Sequence, residues 1–479
     1  MKRPDANTHY DDAMSFPLEP SSDAMRAQLE AVSRLVVEHI ASLPDQPSAD
    51  LDGVAAIKRA FVESAPEAGQ ALDGLLARLT PAIAKSFNTA GPGYLAFIPG
   101  GGIFAAGLAD LVACATNRYV GVREAAPALV QIEETAVRWM SDLMGYPAGA
   151  SGVLTSGGSI SNLVAVVTAR AAKLSEDELA KGIVYVSAET HRCVAKAARI
   201  AGIPARNVRE VAVDERYRMR PAALLTEIRA DHARGLKPFL VVPSVGTTNT
   251  GAIDPVSEIV EIARAHGLWV HADGAYGGFF RITPGGESLM PGISECDSIT
   301  LDPHKGLFLP YGTGCLLVRD SQRLLDAFHE TAHYLQDVVG DEGPGFNDLS
   351  PELSRDFRGL RLWLPIQLHG LAAFRASLQE KLELTRWAHQ ELRSDDRFLI
   401  LDAPQLSVIA FRLKGEGPAT DARNEELLRR VNARGRVFLS STRMGARYVL
   451  RICVLSFRTH QDRVRDAVVA LREEAGALL

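Results

Sequence analysis

The chain has 479 residues, 47% hydrophobic and 23% charged, enough for about two or three domains around sizeable cores. Its formal net charge of -6 leaves no basic footprint, which argues against nucleic acid or an anionic membrane surface as partner. The five cysteines (Cys114, Cys193, Cys296, Cys315, Cys453) are scattered without a C-x-x-C pair, so neither a disulfide framework nor a structural zinc site is expected.

At the N-terminus, Met1-Lys2-Arg3-Pro4-Asp5 carries charge with no apolar core behind it. No segment reaches the roughly 18 apolar residues of a membrane span. The expectation is a protein of the reducing cytoplasm, neither exported nor inserted. Residues 24–42 place Met25, Leu29, Val32, Leu35, Val36 and Ile40 at helical spacing ahead of the breaker-rich Leu43-Pro44-Asp45-Gln46-Pro47, which predicts an N-terminal helical arm within residues 1–90. A Gly/Pro-rich run from Gly91 to Gly102 reads as a lining loop and leads into a helix from Phe104 to about Ala115.

From residue 150 onward, short apolar runs alternate with amphipathic helices. The strand candidates are Ile183–Val186, Phe239–Val242, Leu268–Val270, Ser298–Leu301 and Gly314–Val318; the helices are Ser161–Ala172, Cys193–Ile200, Pro221–Ala233 and Val256–Ala265. This alternation predicts an α/β fold, a mostly parallel central sheet flanked by helices, with ligands at the carboxyl ends of the strands. Residues 337–351 have little periodicity and many breakers, as a long functional loop does. Strands at Leu406–Leu413 and Tyr448–Val454 predict a small C-terminal α+β domain. The expected division is 1–90 for the arm, 91–365 for the large domain and 366–479 for the small one.

Chemistry concentrates at the ends of these strands. Lys305, in Asp302-Pro303-His304-Lys305, follows a strand; an amine condenses with an aldehyde only when neutral, so such a lysine calls for a site that lowers its pKa. Asp273 ends the strand run Leu268-Trp269-Val270-His271-Ala272 and precedes the small residues Gly274, Ala275, Gly277 and Gly278, which let a planar ring approach the backbone. A carboxylate there can keep a ring nitrogen protonated. Thr155-Ser156-Gly157-Gly158-Ser159 opens a helix and offers N–H groups, hydroxyls and a helix dipole to a phosphate. It is neither a P-loop nor a dinucleotide fingerprint. His191, in Glu189-Thr190-His191-Arg192, stands between a strand and a helix, where an imidazole can cap the helix or stack on a ring. His191, His266 and His271 lack metal-ligand spacing, so no metal is expected.

Taken with Gly246-Thr247-Thr248-Asn249-Thr250-Gly251, these motifs resemble, in order and spacing, the group II pyridoxal-phosphate amino-acid decarboxylases, which include aromatic-L-amino-acid and glutamate decarboxylases. The likeness runs from about Tyr94 to about Val454. It implies a fold-type I homodimer with the active site at the subunit interface and an amino acid as substrate. It also implies Lys305 as the Schiff-base lysine, Asp273 on the pyridine nitrogen and His191 on the ring face. Gly158, Ser159, Asp302 and His304 then lie near the phosphate of pyridoxal 5'-phosphate, and Thr247, Thr248 and Ala275 near the ring.

Arg355-Asp356-Phe357-Arg358-Gly359-Leu360-Arg361-Leu362-Trp363 resembles the segment after that family's mobile catalytic loop. Counting back from Arg358 puts Phe346 where the aromatic decarboxylases carry a proton-donating tyrosine, and plant aldehyde synthases of the family also have phenylalanine there. Tyr94, Phe97, Gly100 and Tyr119 are the candidate substrate wall. Gly100-Gly101-Gly102 is smaller than the aromatic enzymes have there, and Glu124-Ala125-Ala126-Pro127 is similar to the glutamate enzymes. Decarboxylation of an L-amino acid, aromatic by preference, is the leading expectation. The alternatives are an aldehyde synthase, a decarboxylase of an acidic or other non-aromatic amino acid, another enzyme of this fold such as an aminotransferase, and a nucleotide-binding or scaffold protein that shares only the sheet.

Overall fold

The computed structural model describes residues 18–330 and 343–478. Strands β1 (Ser151–Thr155), β2 (Gly182–Ser187), β3 (Val208–Val211), β4 (Lys237–Val241), β5 (Trp269–Asp273), β6 (Ser298–Leu301) and β7 (Gly314–Val318) form a seven-stranded sheet in the order β1-β7-β6-β5-β4-β2-β3. From β3 to β6 the neighbours are parallel; β7 runs antiparallel between β6 and β1. The reversal follows from the link: residues 302–313 hold only the single turn Pro303–Gly306, too short for the crossover a parallel return needs.

β2 is buried end to end. Ile183 and Tyr185 face one apolar layer and Val184 and Val186 the other, the pattern of a strand covered by helices on both sides. Two of the four predicted crossover helices, Pro221–Ala233 and Val256–Ala265, keep their predicted bounds, and the other two span Gly158–Lys173 and Arg192–Ile200. β1 and β3 escaped the pattern. β1 has only Val153 and Leu154 as large apolar residues, and at Gly152 a Cβ would lie 2.0 Å from the Leu316 carbonyl. β3 is an edge strand carrying Arg209 and Glu210.

Strands β8 (Phe398–Ile400), β9 (Val408–Leu413), β10 (Ser440–Met444) and β11 (Arg447–Cys453) form an antiparallel sheet, order β10-β11-β9-β8, around a third apolar core. The helical stretch Gly359–Arg393 breaks at Gly370 (φ 72°, ψ 150°), and the expected boundary at 365/366 falls within its first half. The arm helices Ser22–Ser42, Val54–Ala60 and Leu72–Ala84 bury no residue at all. Residues 1–17 of the arm and 337–342 of the predicted loop lie outside the described residues, and Phe346–Asp348 forms a short helical turn. Among the described residues no helix is long and apolar enough to cross a membrane.

Candidate active site

β1, β2, β4, β5 and β6 deliver their carboxyl ends to one side of the sheet, where a cavity of about 310 Å³ opens. It gathers Gly158, Ser159, His191, Thr247, Thr248, Asp273, Ala275, Asp302, His304 and Lys305, residues more than 140 positions apart in the chain at the extremes. Each sits in a segment that leaves the end of a strand, because side chains there escape the ladder and can turn inward.

Lys305 Nζ lies 2.8 Å from Asp302 Oδ2, its side chain 23% exposed. Burial alone would drive off its proton, but Asp302, and after it Asp273, outweigh that effect and hold the ammonium above the ordinary lysine range. The expectation of a site that lowers the lysine pKa is thus reversed, because two carboxylates share the cavity with the amine. The other oxygen, Asp302 Oδ1, is buried without a hydrogen-bond partner. Beside it, a Cβ on Gly158 would come within 2.9 Å of Oδ2, so only glycine lets the helix start pass this close.

Asp273 is 8% exposed. Its Oδ1 accepts the Ala275 N–H at 3.2 Å and its Oδ2 faces Asn162 Nδ2 at 3.5 Å. Burial raises its pKa, and the Lys305 ammonium opposes that rise. His191 caps the Arg192–Ile200 helix, its Nδ1 accepting from Cys193 N at 3.3 Å. The capping role and the cavity position coexist. With Nδ1 committed, the neutral ring carries its proton on Nε2, and burial lowers its pKa despite Asp273. His304 donates from Nδ1 to the Thr313 carbonyl at 2.6 Å and is likewise kept neutral by burial.

Other candidates lie elsewhere. Tyr94 is buried and stacked on Phe438 at 5.9 Å, since residues 93–95 pair with Phe438 of the small domain. Phe97 is exposed at the edge of that loop, and Tyr119 is exposed with its hydroxyl donated to the Leu353 carbonyl at 3.2 Å. Within one chain none of the three lines the cavity. Gly100 does approach it: a Cβ there would lie 3.2 Å from the Tyr311 ring, which does line the cavity. Phe346 is buried away from it, its ring 4.8 Å beneath the Arg355 guanidinium. That arginine pairs at 2.6 Å with Glu133, both side chains 0% exposed, and donates to the Leu154 carbonyl.

Residues 55–414 match the family described as the pyridoxal-dependent decarboxylase conserved domain. The chain belongs to this family. It is 32% identical to an aromatic-L-amino-acid decarboxylase from Bacillus atrophaeus over 96% of this chain and 97% of that one. It is also 32% identical to tryptophan decarboxylase 1 from Oryza sativa subsp. japonica over 79% of each. A crystal structure of an Oryza sativa enzyme with pyridoxal phosphate and tryptamine superposes with a TM-score of 0.91 at 28% identity, covering 97% of this chain and 99% of that one. The protein is a pyridoxal-phosphate-dependent carboxy-lyase of fold type I.

The residues present fit that cofactor. A primary amine stands between two carboxylates, one of them with an unpartnered buried oxygen, and the Gly158–Lys173 helix points its first, unbonded N–H groups at the same space. Sequence reasoning missed Asn162, Cys193, Ser244, Tyr276 and Tyr311, all on the cavity wall. Asn162 left one trace, a polar amide one turn after Gly158 and directly before the apolar run Leu163–Val167. Tyr276 left none, because its partner Ser407 lies in the small domain.

Proposed function

We propose that the enzyme removes the α-carboxyl group of an aromatic L-amino acid, giving the amine and carbon dioxide. The observation that carries this reading is Lys305 at 2.8 Å from Asp302 in a cavity that Asp273 also lines. Pyridoxal phosphate, when bound, supplies an aldehyde for amines and a protonated ring that accepts the electron pair of a breaking Cα bond. In this assignment Lys305 holds it covalently, Asp273 keeps its ring nitrogen protonated, and Ser156, Ser159 and the helix start hold its phosphate.

Asp302 shares the proton that Lys305 must lose before its amine can react. His191 holds a proton on Nε2, the ring nitrogen not used in capping, and in this assignment would orient a water that delivers the proton to Cα once the Cα–carboxylate bond has opened, the proton being drawn from solvent. The balance is one proton taken up and one carbon dioxide released per amine formed. The aromatic preference rests on relatives that act on aromatic amino acids.

The same reading makes the enzyme a cytoplasmic homodimer with its site completed at the interface. Met25, Leu29, Val32 and Val36 are exposed at i, i+4, i+7 and i+11 on one helix, and Phe104, Leu108, Leu111 and Val112 are exposed on another; such stripes need a cover. Phe97 and Tyr119, exposed here, are then free to wall the partner's cavity. The five unpaired cysteines suit a reducing compartment. The division at 1–90, 91–365 and 366–479 is kept as a proposal, with Gly370 as the hinge point nearest the second boundary.

A panel of L-tryptophan, L-tyrosine, L-phenylalanine and L-glutamate, scored for amine, aldehyde and peroxide, tests this. Amine and carbon dioxide from an aromatic substrate are expected, and turnover of glutamate alone would overturn the substrate class. Phe346, which has no proton to give, favours a second reading: if that residue sits in the partner's site, molecular oxygen and water are consumed after loss of carbon dioxide, aldehyde with ammonia and hydrogen peroxide becomes the product, and Phe346→Tyr shifts the partition toward amine.

A further inference from the structure

From Asp273, through Asn162 on the cavity wall and into the sheet, runs a buried chain of polar side chains to which sequence reasoning gave no role. Trp269, His271 and Asp273 alternate along β5 and share one face. Their partners are Ser298 and Thr300 on β6 and Asn162 on the Gly158–Lys173 helix, and His271, Ser298, Thr300 and Asn162 are all 0% exposed.

The direction of every bond can be deduced. The Gly158 carbonyl, an acceptor only, lies 2.8 Å from Asn162 Nδ2, so Nδ2 is the amide nitrogen and Oδ1 faces His271 Nε2 at 3.0 Å. Nε2 therefore carries a hydrogen, shared with Thr300 Oγ1 at 3.2 Å. Burial keeps His271 neutral, so its Nδ1 is bare and takes the Ser298 hydroxyl hydrogen at 2.8 Å. The Ser298 oxygen in turn accepts the Trp269 indole N–H at 2.8 Å, a group that only donates. At the other end, the second Asn162 hydrogen reaches Asp273 Oδ2 over the longest link, 3.5 Å. All the dipoles point the same way, from an indole toward a carboxylate.

We propose that Asn162 and His271 are positioning residues: with Ser298 and Trp269 they form a one-way donor relay that keeps buried Asp273 in its carboxylate form, and so keeps the pyridine nitrogen of bound pyridoxal phosphate protonated. Burial opposes charge on Asp273; the relay supplies aligned dipoles that offset it without a second cation. Neutrality of His271 is part of the design, because an imidazolium there would compete with the pyridine nitrogen for the same carboxylate.

The inference rests on pyridoxal phosphate occupying the cavity with its ring nitrogen at Asp273. The test reconstitutes the cofactor-free parent, Asn162→Ala, His271→Leu and His271→Gln with pyridoxal phosphate carrying ¹⁵N in its ring. Affinity for the cofactor and the ¹⁵N chemical shift, which reports protonation, are both measured. Asn162→Ala and His271→Leu are expected to bind about tenfold more weakly or worse, with the shift moved toward the unprotonated nitrogen. His271→Gln keeps a donor near the Nε2 position and is expected to restore most of both. Parent-like shifts and affinities in folded Asn162→Ala or His271→Leu would overturn the relay, as would a His271→Gln protein as impaired as His271→Leu. If Asn162→Ala does not fold, the two His271 variants decide alone. A parent protein that takes up no pyridoxal phosphate would instead overturn the cavity assignment beneath it.

Discussion

The strand ends around Lys305 and the N-terminal helices treat apolar surface in opposite ways. Around the cavity, apolar side chains are buried so completely that the polar groups among them must find partners within the chain: Asp302 holds Lys305, Asn162 reaches Asp273, and Glu133 holds Arg355. The Ser22–Ser42 helix does the reverse, with a regular apolar stripe and no buried residue. The first region is packed within the chain; the second, among the described residues, carries an exposed apolar stripe of the kind that the proposed subunit contact would cover.

The sharpest way to break this contrast is to strike the cavity. Lys305→Ala is expected to abolish the borohydride-reducible cofactor adduct and to lower turnover by more than about a thousandfold, with sedimentation behaviour unchanged. An adduct that survives would remove Lys305 from its role. Next in size is Glu133→Ala, which strands Arg355 as a buried charge and should cost about 3–5 kcal/mol of stability in urea unfolding; a midpoint equal to that of the parent would show that the pair does not hold the sheet to the segment before Gly359.

The arm is probed by Leu29→Glu. Self-association should weaken by about tenfold or more, read by sedimentation velocity over a dilution series, while the far-ultraviolet spectrum stays that of the parent. Unchanged association would mean that the exposed stripe is not a subunit contact. A last effect concerns pH. Burial lowers His271 from 6.5 to about 3, so the unfolded chain binds more protons in that window. The His271 contribution is fully present above the unfolded value and is lost as pH falls toward the folded one, at up to about 1.4 kcal/mol per pH unit. His271→Gln should flatten the slope of unfolding free energy against pH between those limits; an identical slope would show that His271 titrates in the folded protein.

Much of the site was legible one motif at a time. Lys305 and Asp273 stand at the ends of strands whose apolar runs could be recognised, so their arrival at one sheet edge followed from the parallel order; the Gly157-Gly158 turn was recognised by its glycines alone, because β1 before it has too few large apolar residues to stand out. The surroundings of Tyr94 were not legible, because an aromatic residue in a Gly/Pro loop looks the same whether it walls a cavity or, like Tyr94, packs on a ring from 344 residues away, at Phe438. Asn162 and His271 were visible as polar residues in apolar runs, but their partners were not.

Local order was determined by the sequence itself: which segments are strands, which helices cross between them, and which titratable side chains stand at strand ends, since these depend on periodicity and turn chemistry within a few residues. Pairing was decided only by the tertiary structure. That Tyr94 packs on Phe438, that Glu133 holds Arg355, and that an indole is linked to Asp273 through three side chains are facts about groups brought together from distant segments. Their energies depend on burial and on mutual orientation, and neither exists until the sheet has closed over them.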